Sequence, residues 1–245
     1  MEIYMPRTLL VSFLALTLLL SACGGGGTPA ATQIPSPTAP EATAPPTVAP
    51  AGETPAAHTP TDEPASGPAL FVLDPARSQV SFSVDEVLRN APYTAIGVTS
   101  QVSGEIRVDF ENPPATVVGP ITVVAGSLTT DSSSRNGMIQ RFILDTNTFP
   151  TITFTPTSIS GLPDAVEVGA TYEVTITGDL TIRDITATET FTGQVTLVSE
   201  TELQGYFSTV VLRGTVYGLQ IPSVQQVASV DDDVKLEISF VAVRQ

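Results

Sequence analysis

Residues 127–154 read SLTTDSSSRNGMIQRFILDTNTFPTITF, and how they fold decides what kind of β-protein the chain forms. Met138, Ile139, Phe142 and Ile143 recur at helical spacing behind Ser132, Ser133 and Ser134, a cluster able to cap a helix start. Phe149 and Pro150 then return the chain to alternation at Ile152 and Phe154. A competing reading starts from Asn136-Gly137, a strong hairpin-turn signal, and from the cost of about 1 kcal/mol for a glycine inside a helix. We read the stretch as a short amphipathic helix set among strands. A helix laid across the end of a barrel plugs or gates it, whereas a turn there merely joins two strands.

On both sides of this stretch the period is two. Val80, Phe82 and Val84 alternate with Ser81 and Ser83, and Ile106, Val108 and Phe110 alternate with Glu105, Arg107 and Asp109. Val174, Ile176, Leu180 and Ile182 stand against Thr175, Thr177, Asp179 and Thr181, and Val234, Leu236, Ile238, Phe240 and Ala242 against Lys235, Glu237 and Ser239. Further candidate strands cover 94–100, 116–125, 191–199 and 203–213. One wet and one buried face per strand is the mark of antiparallel sheet. Strands of this kind without a second helical layer pair as a sandwich or close as a barrel, and closure removes the exposed edges. A barrel of about eight strands is either filled by side chains or holds one small ligand. Arg183-Asp184 interrupts the long alternation between Tyr172 and Val198 and reads as a hairpin or bend, in preference to a functional charged pair.

The chain of 245 residues does not begin as fold. Arg7 precedes an apolar run over 8–20 that is short for a membrane span, followed by Leu20-Ser21-Ala22-Cys23. Residues 1–23 therefore read as a lipoprotein signal whose cysteine becomes the lipidated first residue, giving an extracytoplasmic, membrane-anchored protein at the cell surface or in the periplasm. Cys23 is the one cysteine, so no intramolecular disulfide competes for it. Residues 24–68 are rich in Pro, Thr, Ala and Gly and lack the apolar surface to offset ordering. They read as a disordered linker that reaches about 140 Å at full polyproline extension. His58, the lone histidine, falls in it. Residues 69–245 then form one domain.

A formal charge of −15 with ten basic residues argues against nucleic acid and against adhesion to anionic headgroups. Catalysis finds little support, because the folded part has no His or Cys from which to build a nucleophile-base pair or an ordinary zinc site. Asp231-Asp232-Asp233 lacks the Gly and distal Glu of a calcium loop and reads as a solvated turn before the last strand.

Several stretches resemble the YceI family of secreted, lipocalin-like barrels. They are Leu73-Asp74-Pro75-Ala76-Arg77-Ser78-Gln79-Val80-Ser81-Phe82, Val102-Ser103-Gly104-Glu105-Ile106, Ser127-Leu128-Thr129-Thr130-Asp131, and Phe142-Ile143-Leu144-Asp145 ahead of Phe149-Pro150. The most specific is Gly178-Asp179-Leu180-Thr181-Ile182-Arg183-Asp184-Ile185-Thr186. The resemblance implies an all-β fold, an antiparallel barrel with a short helix insertion, that sequesters a long apolar lipid such as a polyisoprenoid or quinone, with no other cofactor and no enzyme activity. Departures stand at Arg77, Asp85 and Asn136-Gly137-Met138, where family members carry histidines, and in the segment 87–99, which is expected to reshape the mouth.

On this reading Phe82, Val84, Ile106, Phe142, Phe154, Ile176, Leu180, Leu236 and Ile238 line the ligand, and Arg135 and Arg141 touch its head. Each of those apolar residues can equally fill a closed core, and both arginines can equally pair with Asp131 or Asp145 at the surface. Three functions follow. A lipid carrier needs a continuous apolar interior, and a structural or protein-binding barrel on a stalk needs a filled interior and an outer apolar patch. A carboxylate enzyme needs two acids facing each other in a pocket. The carrier is the preferred reading.

Overall fold

The structure is a computed structural model and describes residues 67–245. The signal, Cys23, His58 and all but the last two residues of the 24–68 linker lie outside the described residues.

In chain order the strands are β1 (Ala69–Leu73), β2 (Gln79–Leu88), β3 (Ala91–Thr99), β4 (Val102–Ser103), β5 (Glu105–Val108), β6 (Val117–Val118) and β7 (Ile121–Val124). Helix α1 (Ser133–Met138) follows, running directly into one π-helical turn over Ile139–Ile143. Then come β8 (Thr151–Ser160), β9 (Thr171–Ile182), β10 (Ile185–Ser199), β11 (Glu202–Leu212) and β12 (Val227–Arg244). Every pairing is antiparallel.

The ladder runs from β8 through β9, β10, β11 and β12 to β1 and β5. Across Gly104 it passes from β5 to β4, and β4 pairs with β7 (Val102 opposite Val123), which pairs with β8 (Ile121 opposite Phe154). The sheet thereby closes on itself as a barrel. Twelve strands appear among the described residues where about eight were expected, because β1 and β8 add to the expected set and two strands are broken. β4 and β5 are one strand interrupted at Gly104, and β6 and β7 are one strand interrupted where the Gly119 amide turns to the Glu105 carbonyl at 2.8 Å.

Beyond β1 the long β12 continues and β2 takes its other half, with Phe82 opposite Leu236 and Val84 opposite Val234. β3 adds to β2 as a regular hairpin. Segment 87–99, expected as a departure from the family pattern, belongs to this hairpin, turned at Arg89 and Asn90 with φ of 52° and 64°. Positive φ at both central residues gives a type I′ turn, whose twist matches the strands. Beyond β3 the backbone bonds once more, reciprocally between Val98 and Thr129, and the helical segment follows.

The helix reading of 132–143 holds, and the hairpin at Asn136-Gly137 does not form. Ser132 caps the start by accepting from the Arg135 amide at 3.4 Å. Asn136 Oδ1 accepts from the Thr130 amide and hydroxyl, each at 2.7 Å, which ties the first turn to the incoming chain. Ile139 and Leu144 are buried against Leu180, Ile182, Val211, Tyr217 and Leu219, so the segment crosses that end of the barrel. Arg183-Asp184 is a two-residue hairpin turn, with Ile182 opposite Ile185. Arg183 reaches back over the Phe149 ring at 5.5 Å and donates to the Ile143 carbonyl at 3.4 Å, clasping the end of the helical segment.

Asp231, Asp232 and Asp233 do not form a turn before the last strand; they lie inside β12, where its register against β2 shifts between Val230 and Val234. Asp232 accepts from the Gly214 amide at 2.6 Å and the Thr215 hydroxyl at 2.5 Å. Those bonds, the Thr215 hydroxyl first, hold its carboxyl below the usual carboxylate range. The bulge lets three successive acids share one strand while one of them caps the loop after β11.

A second core, around Phe71, Phe207, Phe240 and Ala242, fills the opposite end of the barrel. Among the described residues, all strand pairs and both cores lie within residues 69–244, so the barrel closes on its own strands there.

Candidate functional site

Between the two cores the barrel is hollow. A cavity of about 450 Å³ runs inside it, within the roughly 300–1,000 Å³ common for small-molecule sites. The inward positions of β2, from Val80 through Phe82 and Val84 to Leu88, form one wall, and Val234, Leu236, Ile238 and Phe240 of β12 form the next. Phe82, Val84, Leu236 and Ile238 are only partly buried although they point inward. Their exposed area is the surface of the cavity. From β9 come Val174, Ile176, Leu180 and Ile182, and Phe154 of β8 meets Phe191 of β10 edge to face at 4.8 Å between ring centroids.

Of the residues expected to line the ligand, Phe82, Val84, Ile106, Phe154, Ile176, Leu180, Leu236 and Ile238 all lie on the cavity wall, as does Arg135. Phe142 and Arg141 do not. Phe142 is 60% exposed and Arg141 is exposed beside it. The reason is the π-helical turn, which widens the helix at Ile139–Ile143 and closes with the Leu144 amide on the Ile139 carbonyl at 2.8 Å. Ile139, Ile143 and Leu144 therefore face the cavity, whereas ordinary helical spacing would have turned Phe142 inward with Ile139.

One polar cluster of the wall lies where β2 and the start of α1 meet beside β3. Glu86 continues the inward stripe of β2 and is 8% exposed. It accepts from Arg135 Nη2 at 2.9 Å. The other η nitrogen of Arg135 pairs with Asp131, which also accepts from the Tyr93 hydroxyl at 2.6 Å, and the guanidinium lies 5.4 Å from the Tyr93 ring centroid. Burial works against the charge of Arg135, but the fields of Glu86 and Asp131 outweigh it and hold its pKa above the ordinary arginine value. Arg135 thus pairs with Asp131, as one sequence reading allowed, and with a buried partner as well.

Glu86 was missed from the sequence although its signal was present. Extending the alternation of Val80, Phe82 and Val84 by one step places position 86 inward. Arg213 and Tyr217, also on the wall, gave no such signal because they sit in or beside the irregular loop after β11. Arg213 donates to the carbonyls of Leu219, Val230 and Asp231 at 2.8–2.9 Å and so fastens that loop to β12.

Tyr217 is 2% exposed and its hydroxyl donates to Glu189 at 2.9 Å. Burial first, then that bond and the Glu189 charge, push its phenol far above the usual tyrosine range. In the unfolded chain a tyrosine ionises near pH 10, so above that pH the folded form keeps a proton that the unfolded form has lost. The stabilisation is whole below about pH 10 and falls by about 1.4 kcal/mol per pH unit above it. A Tyr217→Phe variant is expected to lack that part of the alkaline decline in a series of urea melts from pH 9 to 11. Identical slopes in the two proteins would refute the assignment.

Among the described residues no group of three or more His, Cys, Asp or Glu is placed to hold a metal ion, and no helix is long and apolar enough to cross a membrane.

Strands, closure, helix insertion and hollow apolar interior together define a lipocalin-type antiparallel barrel. The sequence profile of the YceI-like domain matches residues 71–242, and the chain belongs to that family. Solved structures that share the fold include two from bacteria. A polyisoprenoid-binding domain from Saccharophagus degradans, implicated in plant cell wall breakdown, aligns with a TM-score of 0.58 at 15% identity over 73% of this chain and 99% of that one. BcnA of Burkholderia cenocepacia aligns with a TM-score of 0.55 at 21% identity over 70% of this chain and 99% of its own. No curated protein matches the chain in sequence.

Proposed function

We propose that the protein is a membrane-tethered, extracytoplasmic lipid carrier that holds a polyisoprenoid or similar long apolar chain inside its barrel, Cys23 being the lipid attachment point. The observation that carries this reading is the continuous apolar cavity between the two cores. A filled barrel serving only as a structural or protein-binding module would not contain it. The polyisoprenoid-binding domain of the same fold supports the choice of ligand class. Each 100 Å² of apolar tail taken from water into such a cavity contributes about 2.5 kcal/mol. A tail arriving from a bilayer gains almost nothing, because it was already out of water. Exchange with a membrane is therefore close to balanced, which suits a carrier that loads and unloads.

The test is native mass spectrometry with organic extraction, on residues 67–245 secreted and purified without detergent. A stoichiometric apolar adduct is expected, and an apo mass that stays apo after incubation with isoprenoids and fatty acids would end the carrier reading. For the tether, Cys23→Ser in the full-length protein is expected to abolish incorporation of labelled palmitate; undiminished labelling would place the lipid elsewhere.

A further inference from the structure

We propose that the cavity selects a lipid whose head is neutral and donates a hydroxyl, with Glu86 as the acceptor, and rejects lipids ending in phosphate or carboxylate. This deepens the carrier reading and rests on it. If the tail moves between bilayer and cavity at little net gain, the head contacts decide which lipid is held.

At the Glu86 cluster the cavity wall offers an anion no net positive charge. Both guanidiniums of the wall already donate hydrogen bonds, Arg135 to carboxylates and Arg213 to neutral carbonyls. Arg213 spends Nε, Nη1 and Nη2 on three backbone carbonyls. Arg135 spends its two η nitrogens on Glu86 and Asp131, so with one cation between two carboxylates this cluster carries a formal charge of about −1. Lys235, the chain's one lysine, is paired with Glu237 at 2.7 Å. A phosphate drawn to this cluster would lose its water and meet an excess carboxylate, with no net positive charge there to offset either cost.

The same cluster offers a hydroxyl a good partner. Glu86 stands on the inward stripe of β2 between Val84 and Leu88, all three on the cavity wall. Its bond to Arg135 uses Oε1, and Oε2 takes no hydrogen bond from a described residue. A carboxylate oxygen held in place, facing an apolar cavity and lacking a donor, suits an O–H at the end of a prenyl chain or on a phenol ring. A hydrogen bond to a charged acceptor in such surroundings is among the strong ones.

The experiment compares three probes with one C20 tail: geranylgeraniol, its methyl ether and its monophosphate. Each displaces a fluorescent apolar probe from residues 67–245 at pH 7.5. The alcohol is expected to bind about ten-fold tighter than the ether, which cannot donate, and than the phosphate. Glu86→Gln keeps an acceptor but removes the charge, and it is expected to bring the phosphate within about three-fold of the alcohol. Glu86→Gln with Asp131→Asn frees Arg135 and reverses the order in favour of the phosphate. Equal binding of all three probes by the unaltered protein would overturn head selection and leave the carrier reading standing. Failure of all three to bind would overturn both. Should either variant fail to fold, the ranking of the three probes on the unaltered protein decides by itself.

Discussion

Val84→Trp combined with Val234→Trp is expected to leave the barrel folded and to weaken lipid binding by roughly 100-fold. The two valines face each other across the β2–β12 ladder and both point into the cavity. Two indoles side by side on that wall take up much of the space in front of it. Both valines are only partly buried, so the added rings enter empty space rather than a packed core and avoid most of the usual overpacking cost of about 1–3 kcal/mol. Forcing about 100 Å² of tail back into water costs about 2.5 kcal/mol, which is the origin of the expected ratio. Displacement titration gives the affinity, and circular dichroism gives the fold. Undiminished binding by a folded double variant would mean that the lipid sits somewhere other than the barrel.

The largest expected loss of stability comes from a single methyl group. A Cβ at Gly193 would lie 1.9 Å from the Tyr206 carbonyl oxygen and 2.7 Å from the Phe207 Cα. Both are backbone atoms of β11, so no side chain can rotate aside, and β10 and β11 must part where Gly193 pairs with Phe207. Gly193→Ala is therefore expected to cost about 3 kcal/mol, a fall in Tm of about 6–12 °C for a domain of this size. The same substitution at Gly137, within α1 and with nothing within 4 Å of a new Cβ, is expected to raise stability by up to about 1 kcal/mol. Opposite signs for one chemical change isolate the close strand approach as the cause. A Gly193→Ala protein that melts with the parent would show that the strands accommodate the methyl by moving.

Much of this was legible in the sequence wherever period two persisted. The alternation of Val234, Leu236 and Ile238 gave both the strand and its inward face, and eight of nine apolar candidates reached the cavity wall because parity along a strand cannot drift. Phe142 failed for the opposite reason. A helix that widens by one residue in five turns its faces, and no side-chain pattern announces a π turn. Glu86 was hidden by a convention of reading, in which a charged residue ends an apolar run, whereas the backbone continued the strand through it. The aspartates at 231–233 looked like a turn because three acids rarely sit together in a strand, and it takes the bulge and the Asp232 cap to seat them. Whether the barrel was hollow or filled depends on the distance between opposite walls, which no local pattern contains.

β12 sets a clock on the making of this protein. It borders β11 along one edge and both β2 and β1 along the other, so β1 and β2, although β5 and β3 can already flank them, each keep one edge unpaired until residues 227–244 have been synthesised. On the export route proposed above, a channel that passes extended polypeptide would therefore meet a chain with no finished barrel to unfold. The same delay leaves the β12-facing edge of β2 open while the rest of the domain is made, and places the demand for a holding chaperone at the start of the domain rather than at its end.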